Sequence, residues 1–176
     1  MKASRAHGFA LIDLIFVCGI IGLLCGIALP RLLQARQSAG AASAIGSLRA
    51  INSGQLTYAL TCGSGFYSPS LTRLGIPPPG SHEPYLSPNL TLSDNVIKSN
   101  YTITVAAAGF AGAPPTCNGL GGGQSSQGFR AAADPVEPTN VRFFASNANG
   151  IIWENTTSLL SVIPEVGEPA AGHPLR

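Results

Sequence analysis

The chain reads as an α+β protein: one long N-terminal helix packed on a small antiparallel sheet, the two joined by an irregular αβ-loop. Three observations predict this. An uninterrupted apolar run fills residues 9–29. A proline-free stretch rich in Ala, Leu, Gln and Arg follows it from Arg31 to Leu60, as a continuing helix requires. Beyond Thr61 the pattern changes to Gly, Pro and Ser clusters separating short β-branched segments, the signature of strands and turns.

The apolar run, FALIDLIFVCGIIGLLCGIAL, spans 21 residues and carries one charged side chain, Asp13. As a helix it is about 30 Å long, enough to cross a bilayer core. Lys2 and Arg5 precede it, which favours a cytoplasmic N-terminus, although Arg31 and Arg36 flank its other end. Three readings of this start stand side by side. It is a secretory signal peptide cut after Gly26, Ile27 and Ala28, before Leu29; or an uncleaved anchor; or an assembly helix released by a cut between Gly8 and Phe9. Asp13 bears on the choice. A carboxylate inside an apolar helix costs roughly 2.5–3.5 kcal/mol on insertion scales. A signal peptide gains nothing from it. After a cut at Gly8–Phe9, however, Asp13 would face a free α-amine on a neighbouring subunit, and the pair would disfavour wrong axial registers.

Residues 8–14, Gly-Phe-Ala-Leu-Ile-Asp-Leu, resemble the class III signal of type IV pilins and type II secretion pseudopilins. That pattern reads Gly, Phe, a small or hydroxyl residue, Leu, Ile, Glu, Leu. Pro30 falls where the family carries a proline near the membrane-exit end of its helix. Residues 42–52 are similar to the lower helix of some pilin-like proteins. The resemblance implies a pilin-like fold, cleavage after Gly8 by a prepilin peptidase, and N-methylation of Phe9. It also implies insertion in a bacterial inner membrane, delivery by an inner-membrane assembly platform, and polymerisation with copies of itself into a filament. The chain departs from the pattern at Asp13, one methylene shorter than the usual Glu. Two uses of such a filament remain open: a pilus that adheres, pulls or takes up DNA, or the short piston of a secretion machine. A monomeric anchored or secreted binding module ranks below both.

The expected organisation is a leader over 1–8, an assembly helix over 9–30, its amphipathic continuation over 31–61, a globular head over 62–163 and a flexible tail over 164–176. Counting 100° per residue from Ile45 places Ala41, Leu48, Leu56, Ala59 and Leu60 on one apolar stripe, with Arg49 at its edge. Gly19, Gly22, Gly26, Gly40, Gly46 and Gly54 each weaken the rod by about 1 kcal/mol relative to Ala, and Pro30 removes a helical hydrogen bond. Local weakness is therefore expected over Gly22 to Pro30, where Gly22 and Gly26 also let neighbouring helices approach closely.

In the head, residues 69–75 predict one helical turn with Leu71 and Leu74 inward, and 77–80 a turn. Residues 81–95 read as an irregular connection. Tyr101–Val105 alternates as a strand, 111–128 reads as a mobile loop, and Asn140–Ala145 and Ile151–Glu154 complete a hairpin around Asn149-Gly150, a type I′ pair. A short edge segment is expected over Leu159–Ile163.

Four cysteines divide into two pairs. Cys18 and Cys25 lie seven residues apart on the apolar helix, where they read as small packing residues; Val17 and Leu24 before them exclude a lipidation motif. Cys62 and Cys117 sit in Gly-rich loops outside the cytoplasm. A bridge between them would close a loop of 55 residues and stabilise by about 2–4 kcal/mol; free thiols or pairing between chains are the alternatives.

The chain has 10 Lys and Arg against 8 Asp and Glu, and without residues 1–8 the count is 8 to 8. That balance offers no nucleic-acid surface. His7, His82 and His173 have no neighbours at metal-ligand spacing. Residues 119–128 lack the Gly-Lys-Ser/Thr ending of a phosphate loop. Glu154, Glu165 and Glu168 are too scattered for the calcium cluster of some pseudopilins. No catalytic residue, metal or cofactor is assigned, and the expected role is structural rather than enzymatic.

Overall fold

The computed structural model describes residues 11–175. Its contacts separate into two compact units, with the division after Ser38. Helix α1 runs from Leu11 to Thr61 and includes Pro30. The helical assignment is continuous through Gly22 to Pro30, where weakness is expected.

The second unit, from Ala39 onward, contains the rest of α1, two single-turn helices, α2 (Leu71–Leu74) and α3 (Pro88–Thr91), and a six-stranded sheet. The strands are β1 (Asn95–Lys98), β2 (Tyr101–Ala106), β3 (Arg130–Pro135), β4 (Phe143–Asn147), β5 (Ile152–Asn155) and β6 (His173–Pro174). They lie in chain order, each antiparallel to the next. This is the α+β arrangement expected, with more strands than the sequence announces.

Both faces of the sheet are covered. Tyr101, Ile103, Val105, Ala131, Ala133, Phe144 and Ile152 share a core with Ala41, Ala44, Leu48, Ile51 and Tyr58 of α1. On the other face Ala132, Ala145 and Trp153 pack with Leu159 and Ile163. Strand β3 escapes propensity because its centre is three alanines, poor strand formers. They are nevertheless all buried, Ala132 on one face and its two neighbours on the other. Flanking strands supply its ladder on both sides, which overrides local preference.

The expected apolar stripe of α1 holds in part: Ala41, Leu48 and Ala59 are buried. The packed face is rotated so that it also takes in Ala44, Ile51, Gln55 and Tyr58, while Leu56 and Leu60 are 53% and 75% exposed. Summing side-chain hydropathy puts the two leucines inside. The sheet instead accepts the face that carries Tyr58 and a hydrogen-bonding Gln55. Arg49 is exposed. Gly40 and Gly54 lie on the packed side, where a Cβ would come within 2.8 Å of the Ser99 carbonyl and 2.9 Å of the Tyr85 carbonyl.

The turns also differ. Asn149 lacks the positive φ that a type I′ turn demands. Only Gly150 has it (φ 77°), and its N–H closes on the Asn147 carbonyl at 2.9 Å, so the loop is the wider kind ending in a left-handed glycine. The I′ geometry occurs instead at Ser99-Asn100, with φ 51° and 64°, between the paired Lys98 and Tyr101.

Other segments correct the reading as well. Residues 140–142 precede the strand rather than open it. Residues 81–95 contain α3. Leu159–Ile163 is a turn whose apolar ends are buried on the sheet face that carries Ala132, Ala145 and Trp153. The loop 111–128 is irregular but anchored: Ala113, Thr116, Leu120, Ser125 and Ser126 are buried, and Tyr67 exchanges backbone hydrogen bonds with Ser126. The C-terminal segment is docked rather than free. His173–Pro174 pairs with β5, Leu175 N–H reaches the Ile152 carbonyl, and Asn147 Nδ2 donates to the carbonyls of Pro164 and Gly167. Open hydrogen-bonding groups on β5 and the Asn147 carboxamide recruit a segment that composition alone marks as loose.

Candidate functional site: the apolar surface of the N-terminal helix

Residues 12–33 of α1 present an apolar surface with no covering partner among the described residues. Thirteen large aliphatic and aromatic side chains there are exposed, from Ile20 at 45% to Ile12 at 73%. This is a helix long and apolar enough to cross a membrane. At 1.5 Å per residue, Ile12 to Leu29 covers about 27 Å. Burying one such side chain is worth about 1.5–3 kcal/mol, so a surface of this size demands lipid or protein against it.

The details of that surface matter for what can cover it. Asp13 lies in the first turn of α1 and is exposed. A Cβ built at Gly19, Gly22 or Gly26 meets nothing within 4 Å. Their backbone is therefore open to close approach by a second helix. Pro30 has no N–H for the Gly26 carbonyl, which leaves that acceptor without its helical donor. Cys18 and Cys25 are free and exposed. Gly8 and Phe9 lie outside the described residues.

In the second unit, Cys62 and Cys117 are joined, with Cα atoms 4.9 Å apart across 55 residues of sequence. The bridge ties the end of α1 to the long loop after β2. That loop is further held by Asn118 Nδ2, which donates to the carbonyls of Arg73 and Ile76 at 3.2 and 3.3 Å. Glu165 gathers three segments: its carboxylate accepts from Ala108 N–H and Ser126 Oγ, and its carbonyl from Ala148 N–H.

Two polar pairs of the second unit lie outside the sequence expectations. Arg142 donates from Nε and Nη2 to the two carboxylate oxygens of Glu154, at 2.6 and 3.2 Å. The Arg142 hydrogen bond holds the Glu154 carboxyl below its ordinary range, and His173 Nε2 stands 4.0 Å away. Gln55 is the second case, bonded to the backbone of Ser68 within the core. For Arg142 and Glu154 the available signal is their position on either side of the Asn149-Gly150 turn, which places them across a hairpin. For Gln55 the signal is its place one helical repeat from Ile51 and Tyr58.

A cleft of about 270 Å³ lies between α1 and the β4–β5 turn, lined by residues such as Asn52, Leu56, Tyr67, Phe129 and Asn149. Its polar rim is largely engaged. Asn52 bonds Gly150 and Ser146, and Asn147 holds Pro164 and Gly167. Among the described residues, no three His, Cys, Asp or Glu side chains converge on a point that could hold a metal.

No protein family, characterised protein or solved structure matches this chain.

Proposed function

We propose that the chain is a structural subunit of a type IV pilus-like filament. The observation that carries this reading is the exposed apolar surface over Ile12–Leu33, with Asp13 as its carboxylate, preceding a compact α+β unit. In this reading the precursor sits in the inner membrane with its N-terminus in the cytoplasm. A prepilin peptidase cuts between Gly8 and Phe9, and the new α-amine of Phe9 is methylated. The assembly platform then moves the helix from lipid into a bundle of identical helices. Asp13 pairs with the Phe9 amine of a neighbour, and Gly22, Gly26 and Pro30 shape the helix contacts. The transfer exchanges one apolar environment for another, so it needs little desolvation beyond the Asp13 pair. No catalytic step and no nucleic-acid contact are assigned to the subunit.

N-terminal sequencing of the mature protein tests this. Phe9, methylated or not, is the expected first residue. Leu29 would replace the reading by a cleaved signal peptide, and an intact Met1 by an uncleaved anchor.

A further inference from the structure

The two halves of the disulfide are not equivalent. Cys62 belongs to the main core and is 5% exposed, among Tyr58, Leu71, Leu74 and their neighbours. Cys117 is exposed, in the loop after β2, with the Tyr85 hydroxyl 3.8 Å from its sulfur. A thiolate attacks a disulfide along the S–S axis, so access decides which sulfur it reaches. The exposed end of the bridge is the Cys117 end.

We propose that Cys117 is a thiol-exchange site: the sulfur at which an incoming thiolate forms a mixed disulfide, with Cys62 as the leaving and resolving sulfur. In the forward step a new S–S bond forms to Cys117 Sγ as the Cys62–Cys117 bond breaks. The electron pair leaves on Cys62 Sγ, which takes up a proton to become a buried thiol. One thiol and one disulfide become another thiol and another disulfide, with no further oxidant or reductant. In the reverse step Cys62 loses its proton, attacks Cys117 Sγ and expels the incoming thiol. Burial disfavours the Cys62 thiolate that leaves in the forward step and attacks in the reverse, so it slows opening and reclosure alike.

The surroundings allow such an exchange without unfolding. Contacts that do not involve the bridge hold this loop: Asn118 bonds the carbonyls of Arg73 and Ile76, and Tyr67 pairs with Ser126. At the helix end, the N–H groups of Cys62 and Gly63 donate to the Tyr58 carbonyl. The incoming thiolate comes from a small thiol or from a protein dithiol; either source lies outside the cytoplasm only if the proposed membrane topology holds, whereas the choice of sulfur does not depend on it.

The test uses the intact oxidised chain in detergent. Cys18 and Cys25 are first blocked with N-ethylmaleimide. One arm receives reduced glutathione; a second receives a thioredoxin variant with a single active-site cysteine as the protein-sized probe; both are quenched with acid, and the free thiols are then alkylated in denaturant. Peptide mass spectrometry then locates the adduct. Mixed disulfide on Cys117, with Cys62 alkylated, is expected in roughly ten-fold or greater excess over the opposite arrangement. An adduct in the glutathione arm alone identifies small thiols as the source, and one in both arms admits a protein. Comparable amounts on Cys62 and Cys117, or adducts that form only at denaturant concentrations that unfold the chain, would overturn the proposal. A mature N-terminus other than Phe9 would leave this result unchanged, so the two readings fail separately.

Discussion

The carboxamide of Gln55 completes the backbone of Ser68 as a paired strand would. Gln55 Nε2 donates to the Ser68 carbonyl at 2.9 Å, and the Ser68 N–H donates to Gln55 Oε1 at 2.8 Å, with both residues fully buried. The segment after α1 has no strand at this point, and its amide and carbonyl would otherwise enter the core unpaired. Replacing Gln55 with Leu keeps the volume but strands both groups. The expected loss is about 2–6 kcal/mol of stability, because each of the two buried unsatisfied groups costs about 1–3 kcal/mol. Denaturant unfolding followed through Trp153, the single tryptophan, measures it; a loss below about 1 kcal/mol would mean that water replaces the carboxamide.

Two glycines of α1 should respond in opposite directions to alanine. At Gly46 a Cβ meets nothing within 4 Å, so G46A should stabilise by up to about 1 kcal/mol through helix propensity. At Gly54 the same Cβ would stand 2.9 Å from the Tyr85 carbonyl. Here G54A should destabilise by about 1–3 kcal/mol in spite of the propensity gain. Paired thermal melts decide it, and two shifts of the same sign would contradict the packing described.

Removing the bridge with the double substitution C62A and C117A should cost about 2–4 kcal/mol, since the loop it closes spans 55 residues. The unfolding midpoint of the double variant, compared with the oxidised parent, is the measurement. Equal midpoints would mean that Asn118 and the Tyr67–Ser126 pair hold the loop unaided.

The Arg142–Glu154 pair predicts an acid-side pH dependence. The Glu154 carboxyl is held below its ordinary value of 4.5 by the Arg142 hydrogen bond. A depressed folded-state value contributes stability above the unfolded value and loses it as pH falls through the folded one. Arg142 is 46% exposed, so solvent screens the pair and E154Q should cost only about 0.5–1 kcal/mol near neutrality. That gap should close below pH 4.5. Asp134 behaves oppositely. Burial pushes its carboxyl up, although Ser158 Oγ donates to it at 2.6 Å. Its ionised form is penalised, so D134N should gain relative to the parent at neutral pH, and the gain should vanish on acidification. Unfolding curves across the acid range test both signs.

Asp13 carries the prediction closest to the proposed function. D13L should leave the precursor in the membrane, and removal of the carboxylate should ease insertion by about 2.5–3.5 kcal/mol. Filaments recovered by shearing should disappear. D13E should retain them. Normal fibre yield from D13L would remove the role assigned to the carboxylate.

The sequence by itself determines the features that depend on local composition. The apolar run over residues 9–29, broken only by Asp13, accounts for a membrane-length helix, described from Leu11. Pro77–Pro79 and the Gly-rich stretch around Cys62 end regular structure where they stand. Alternating β-branched residues make Tyr101–Val105 a strand, and Leu71 and Leu74 point inward on their single turn. Tertiary structure decides what depends on a distant partner. Which face of α1 is buried follows from the sheet it meets, so Gln55 and Tyr58 lie inside and Leu60 outside. The alanines of β3 become a strand because two neighbours offer a ladder. The C-terminal residues are fixed by the edge of β5 and by Asn147. The physical reason is common to these cases: a backbone hydrogen bond or a buried face is satisfied by residues tens of positions away, and periodicity within one segment carries no record of them.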